Sequence, residues 1–211
     1  MVDFSLENAR GYSFSGLLER VADDLSSAGF QVTVHPHEGE SVHSAFVRFP
    51  GLLYEAGLSP HRTEKLSVKI EIDTRPPAGA ATEATLINRH FMLSLLHYDI
   101  PSLMSEKLRA LLSRSFSKGR DVFDLLWYLS RGDSIEPNIT LLQSALAQTG
   151  WKGPQVTADN WRQVIGQKVA SLDFSRVTED VTPFLERPND RALLTRETVL
   201  AALEQRRKTS S

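Results

Sequence analysis

The chain has 211 residues, 41% hydrophobic and 24% charged, and a formal net charge of −2. This length allows one large domain or two small ones, and the near-neutral charge means that contact with a polyanion requires a local patch. The absence of cysteine excludes disulfides, thiolate zinc sites and cysteine nucleophiles. No apolar run is long enough to span a membrane and no signal peptide is recognisable, so we expect a cytoplasmic protein.

The first part of the chain predicts a mixed, mostly antiparallel sheet with one early helix. The helix is expected over 15–29, where apolar residues recur at helical spacing and a glycine ends the pattern. Strands are predicted over 30–35 and 43–49, with a turn at 36–41 after the first of them. The clearest strand is 65–73, in which apolar and polar residues alternate.

The rest of the chain predicts mainly helices. Two shorter strands are expected at 83–87 and 91–96, followed by a pair of amphipathic helices within 101–132. Further helices are predicted over 138–149, 158–170, 174–185 and 197–208. Strands followed by helices predict an α+β fold. We place the domain boundary near residues 99–101, between an α+β core (1–99) and a helical region (100–211).

The polar face of the 65–73 strand carries Lys69, Glu71 and Asp73 at alternate positions. Carboxylates held on a sheet suit Mg²⁺, which prefers oxygen ligands and often shares them with phosphate. A lysine beside them could meet a phosphate as a point charge. An exposed strand face with cross-strand ion pairs explains the same pattern. The strand alone leaves both interpretations open.

The first helix of the 101–132 pair carries two cations in an unusual place. On a helical wheel, Lys107 and Arg114 fall inside the apolar arc or on its edge, where burial of an unpaired charge is costly. Either their side chains extend along the helix to solvent, or anionic groups face them.

The second helix of the pair opens with two carboxylates. One interpretation is helix capping, with Asp121 as the N-cap residue and Asp124 at the third helical position. The functional alternative has one of them orienting a catalytic lysine or acting as a general base, kept ionised by Lys107, Arg114 and Arg120. A plain scaffold of capped helices explains the two carboxylates but leaves the cations of the first helix unexplained.

Three motifs follow one another in the chain: KIEI at 69–72, LxxEKLxALxxR at 103–114 and RDxxDL at 120–125. Together they resemble the AbiEii/AbiGii nucleotidyltransferase-like toxin family, whose members are toxins of type IV toxin–antitoxin and phage abortive-infection systems. The chain has no GxGxxG, GxxxxGK[ST] or GxSxG motif, which removes the main support for Rossmann, P-loop and hydrolase classes.

The resemblance implies a DNA polymerase β-like nucleotidyltransferase fold and Mg²⁺-dependent transfer of a nucleotide from an NTP, with tRNA as the acceptor for some members. It implies that Lys69 binds phosphate and that Glu71 lies near the metal. It also implies that Lys107, Arg114 and Arg120 support the nucleotide. The implied partner is a cognate antitoxin protein or its operon.

The resemblance further implies catalytic roles for Asp121 and Asp124 and a metal-binding role for Asp3. The family begins with a Gly-Ser or Gly-Gly loop, a helix bearing Arg and a strand with two alternate Asp residues; here Met1 stands where the first Asp is expected. We therefore expect an N-terminally truncated member. Two functions stay open: a nucleotidyltransferase toxin, or a catalytically inactive homologue that acts only as an interaction protein.

Overall fold

The computed structural model describes residues 2–89, 91–114, 116, 118–131, 135–187 and 189–205. The chain divides into two compact units, Met1–Pro76 and Pro77–Ser211. Each unit has its own buried apolar cluster, a small one in the first unit and a larger one in the second.

The first unit is a four-stranded mixed sheet with a helix on one face. Its strands are β1 (Val2–Ser5), β2 (Thr33–Glu38), β3 (Val42–Pro50) and β4 (Lys65–Asp73). The strand order is β1-β4-β3-β2; β1 runs parallel to β4, and the other neighbours are antiparallel. Helix α1 (Phe14–Ser27) precedes β2, and the short helix α2 (Leu52–Glu55) follows β3.

Helix α1 covers one face of this sheet. Its Phe14 and Leu18 form a buried cluster with Ala45 of β3 and Ile72 of β4. Because side chains alternate along a strand, the polar positions of β4 lie on the opposite face. The predicted bounds and faces of β4 are confirmed.

Strand β2 differs from its prediction. It occupies 33–38 instead of 30–35, so it includes Pro36, which the sequence assigns to a turn. Proline has no N–H to donate to a ladder, but β2 is the outer strand of the described sheet. An outer strand tolerates proline because one side of its backbone needs no partner strand.

The second unit consists of a hairpin and a group of helices. Antiparallel strands β5 (Thr82–Asn88) and β6 (Met92–Tyr98) form the hairpin. The helices are α3 (Ile100–Ser113), α4 (Gly119–Ser130), α5 (Ile139–Gln148), α6 (Trp161–Ala170), α7 (Phe174–Val181), α8 (Asp190–Leu193) and α9 (Arg196–Glu204), with a 3₁₀ turn (Thr182–Phe184) after α7. Their core includes the fully buried Met104, Leu108, Leu142, Trp161 and Ile165. No helix in the described ranges is both long and apolar enough to cross a bilayer.

The division between the units falls after Pro76, ahead of the hairpin, whereas the sequence places it near 99–101. Hydrogen bonds tie the base of the hairpin to the start of α3. The Asp99 N–H donates to the Ala81 carbonyl at 3.0 Å, and the Ala81 N–H donates to the Ser102 hydroxyl at 3.0 Å. The hairpin therefore belongs with the helices. The prediction of a mixed α+β fold is confirmed.

Candidate functional site

The polar face of the sheet in the first unit brings two carboxylates and a lysine together. Asp3 of β1 is the register partner of Glu71 of β4, so their side chains lie on the same face. Lys69 Nζ lies 2.5 Å from Glu71 Oε1. The side chains of Lys69 and Glu71 are 33% and 29% exposed, which leaves both accessible to a ligand.

Asp3 and Glu71 fit part of a magnesium site. In the part of the chain that the structure describes, no group of three or more His, Asp or Glu side chains could hold a metal ion. Mg²⁺, however, commonly takes one or two carboxylates and completes its shell with water and substrate phosphates. The donor chemistry of this pair therefore suits Mg²⁺ bound together with a nucleotide, and the assignment stays a prediction.

An exposed aromatic ring lies beside Lys69 on this face. Phe46 of β3 is the register partner of Lys69 and is 40% exposed. Lys69 Nζ and Arg48 Cζ each lie 5.8 Å from the centroid of the Phe46 ring. Sequence reasoning missed Phe46. A signal was available, since Phe46 is an apolar residue on the face of β3 that also carries Ser44 and Arg48.

In the second unit, the two cations of α3 meet two carboxylates of α4. Lys107 Nζ lies 2.6 Å from Asp124 Oδ2 and 3.7 Å from Asp121 Oδ1, and Arg114 Nη1 donates to Asp121 Oδ2. Asp121 is 5% exposed, whereas the side chains of Lys107, Arg114 and Asp124 are each 38% exposed. We call these four residues the charged cluster. Anionic groups thus face the two cations, as one of the alternatives predicted.

The prediction that Asp121 caps α4 is wrong. The helix begins at Gly119, with Lys118 at the N-cap, so Asp121 is the third helical residue and Asp124 lies in the second turn. Lys118 makes no side-chain capping bond; the Gly119 N–H donates instead to Asp180 Oδ2 of α7 at 2.7 Å. Ion pairing, not capping, accounts for Asp121 and Asp124.

Tyr128 and Arg120, also on α4, each interact with a neighbouring side chain. Burial, together with the nearby Asp124 carboxylate, raises the pKa of Tyr128 above its ordinary value of 10.0. The guanidinium of Arg120, a predicted nucleotide ligand, lies 4.5 Å from the centroid of the exposed Phe184 ring. Of the two carboxylates in the charged cluster, Asp124 is the more exposed one.

The family model of the nucleotidyl transferase AbiEii toxins of type IV toxin–antitoxin systems matches residues 2–203. The chain belongs to the AbiEii family. Comparison with curated proteins and with solved structures gave no match. The resemblance drawn from the three motifs is confirmed, and membership in a toxin–antitoxin family implies an antitoxin as the partner.

The AbiEii match includes both units, and the three motifs are divided between them. KIEI lies on β4 of the first unit, in the middle of the sheet. LxxEKLxALxxR and RDxxDL lie in the second unit, on α3 and at the start of α4. The two helical motifs therefore supply the charged cluster, whereas the strand motif supplies Lys69 and Glu71.

Proposed function

We propose that this AbiEii-family chain is a toxin that transfers a nucleotide from an NTP to an acceptor such as tRNA, with Mg²⁺ as the cofactor. The observation that supports the proposal is that Asp3 of β1 and Glu71 of β4 are register partners, so that both lie beside Lys69 on an accessible face of the sheet. We also propose that the mixed sheet is that of a DNA polymerase β-like nucleotidyltransferase. The proposed substrates are cytoplasmic, so we propose the same location for the toxin.

On the sheet face, Asp3 and Glu71 would hold the metal ion, and Lys69 would bind a phosphate oxygen. When bound, Mg²⁺ would neutralise part of the negative charge that develops on the transferred phosphoryl group. The Lys69 ammonium is a compact donor on a flexible stem, so it can turn from Glu71 towards a phosphate. Transfer of this kind depends on positioning and electrostatics more than on a special nucleophile.

In the second unit we propose Asp124 as the general base and Asp121 as a positioning residue. Asp124 is 38% exposed at its side chain and can accept the proton of an acceptor hydroxyl, whereas Asp121 is buried between its two cations. Lys107, Arg114 and Arg120 are the proposed nucleotide-binding cations. The bond that forms joins the acceptor oxygen to the α-phosphorus of the NTP, and the bond to pyrophosphate breaks.

One observation favours the alternative of a catalytically inactive interaction protein. Lys107 and Arg114 are already paired with Asp121 and Asp124, so their positions are explained without any substrate. This alternative keeps the surface for an antitoxin and predicts no nucleotide transfer.

The experiment that separates the two is a transfer assay. The chain is incubated with Mg²⁺, total tRNA and each of the four NTPs labelled at the α-phosphate, and label on RNA is measured. We expect transfer by the native chain and a loss of roughly 100-fold or more in Glu71→Gln and Asp3→Asn, because each removes a charge that stabilises the transition state.

Ser67→Ala is the matched control, since Ser67 is an exposed residue on the same face of β4. It is expected to leave transfer unchanged. Circular dichroism checks that each variant folds. Absence of label with all four NTPs would favour the interaction protein, and full transfer by Glu71→Gln would reject the assignment of the sheet face.

A further inference from the structure

Phe46 has no role in the core of the first unit. The buried cluster of that unit, which includes Ala45 and Ile72, lies on the face of the sheet that α1 covers. Phe46 points to the other face, where it is 40% exposed among polar and charged neighbours. Single exposed apolar side chains are common on protein surfaces, so the groups around Phe46 decide whether a ligand fits there.

The neighbours of Phe46 indicate which ligand. Lys69 and Arg48 flank the ring, each 5.8 Å from its centroid, near the outer limit of a cation–π contact. An anion bound by either cation would therefore lie beside the ring. Aromatic side chains stack on nucleobases of any sequence, and Lys and Arg bind phosphates.

We propose that Phe46 is a stacking platform for a nucleobase, with Lys69 and Arg48 facing the phosphates of the same nucleotide. The inference rests on the proposed function, because Lys69 belongs to the proposed nucleotide site, and it adds the residue that contacts the base. A nucleotide can come from two sources, a free NTP or an RNA strand, and both present a base next to phosphate.

The test measures binding with and without the base. The full chain, with Mg²⁺, is titrated calorimetrically with each of the four NTPs, with inorganic triphosphate and with a short single-stranded RNA. In Phe46→Leu, which keeps the apolar volume but removes the π face, we expect NTP affinity to fall about tenfold. Affinity for inorganic triphosphate should not change, whereas Arg48→Gln should weaken both.

Two variants serve as controls. Phe46→Trp keeps an aromatic face and should retain NTP binding. Phe30→Leu changes another exposed phenylalanine of the first unit, 41% exposed and packed edge-on against Phe49, and should have no effect on binding. Thermal unfolding of each variant shows whether the fold is retained.

The outcomes separate this inference from the proposed function. Weaker NTP binding in Phe46→Leu supports the platform with NTP as the source, and weaker RNA binding alone supports it with RNA as the source. Unchanged affinity for both ligands in Phe46→Leu overturns the platform, even if the transfer assay is positive. Absence of binding to every NTP and to the RNA overturns it as well.

Discussion

At the residue scale, the two carboxylates of the charged cluster differ in burial and should differ in what they stabilise. Asp121→Asn replaces the buried carboxylate by an amide and leaves Lys107 and Arg114 without their shared anion. We expect the free energy of unfolding to fall by about 1–3 kcal/mol, below the cost of breaking a fully buried pair, because both cations are 38% exposed and can rehydrate. Urea denaturation measures the change.

Asp124→Asn is the control for this prediction. Its carboxylate is 38% exposed, so its pairing with Lys107 should contribute less than about 1 kcal/mol. As the proposed base, Asp124 should matter more for nucleotide transfer than for stability. Equal destabilisation by both substitutions would contradict the difference in burial.

Sequence reasoning could reach the charged cluster only in part. The helical wheel showed that Lys107 and Arg114 lie against the apolar arc of α3, because that depends on local spacing alone. Their partners on α4 depend on how two helices pack, which the wheel does not contain. The same limit applies to Phe46, because its position beside Lys69 depends on the register between β3 and β4, which local spacing does not contain.

At the element scale, the N-terminus of α4 depends on a carboxylate of another helix. Asp180→Asn removes the charge that accepts the Gly119 N–H and interacts with the helix dipole. We expect a loss of about 1 kcal/mol in the free energy of unfolding and faster amide exchange at Gly119. Glu179→Gln, an adjacent exposed acid, is the matched control and should change neither. Unchanged exchange in Asp180→Asn would show that the cap is not maintained in solution.

The elements differ in how well local patterns predict them. Strand β4 was predicted residue by residue because nine alternating positions fix its period. Strand β2 was misplaced because Pro36 signals a turn locally and becomes acceptable only at the edge of a sheet. The start of α4 was misplaced because Asp121 has the chemistry of a cap while the capping group comes from α7.

At the scale of the whole molecule, two separate apolar clusters predict two unfolding transitions. Leu18→Ala in the first unit and Leu142→Ala in the second each delete a buried side chain, at a cost of about 2–4 kcal/mol. We expect each substitution to lower the midpoint of one transition and to leave the other in place. Calorimetry of the full chain measures both. A single transition that shifts equally in the two variants would contradict independent cores.

The sequence identified the family from motifs within 69–125, whereas the family match extends over 2–203. Short motifs keep their spacing within an element, so three of them in order were enough for recognition. The division of the chain was harder to predict, because hydrogen bonds between the hairpin and α3, such as that from Ala81 to Ser102, decide to which unit the hairpin belongs.

The bond between Gly119 and Asp180 also has a consequence for the order of synthesis. The two residues are 61 positions apart, so the RDxxDL motif leaves the ribosome about 3–12 s before the group that caps its helix. A Cβ at Gly119 would lie 2.1 Å from the Val177 carbonyl oxygen, so α7 must also arrive in close contact with α4. A nascent chain interrupted before α7 therefore carries the motif without the contacts that fix its helix. Asp121 of the charged cluster lies in the first turn of this helix, so it gains that support only after α7 has been synthesised.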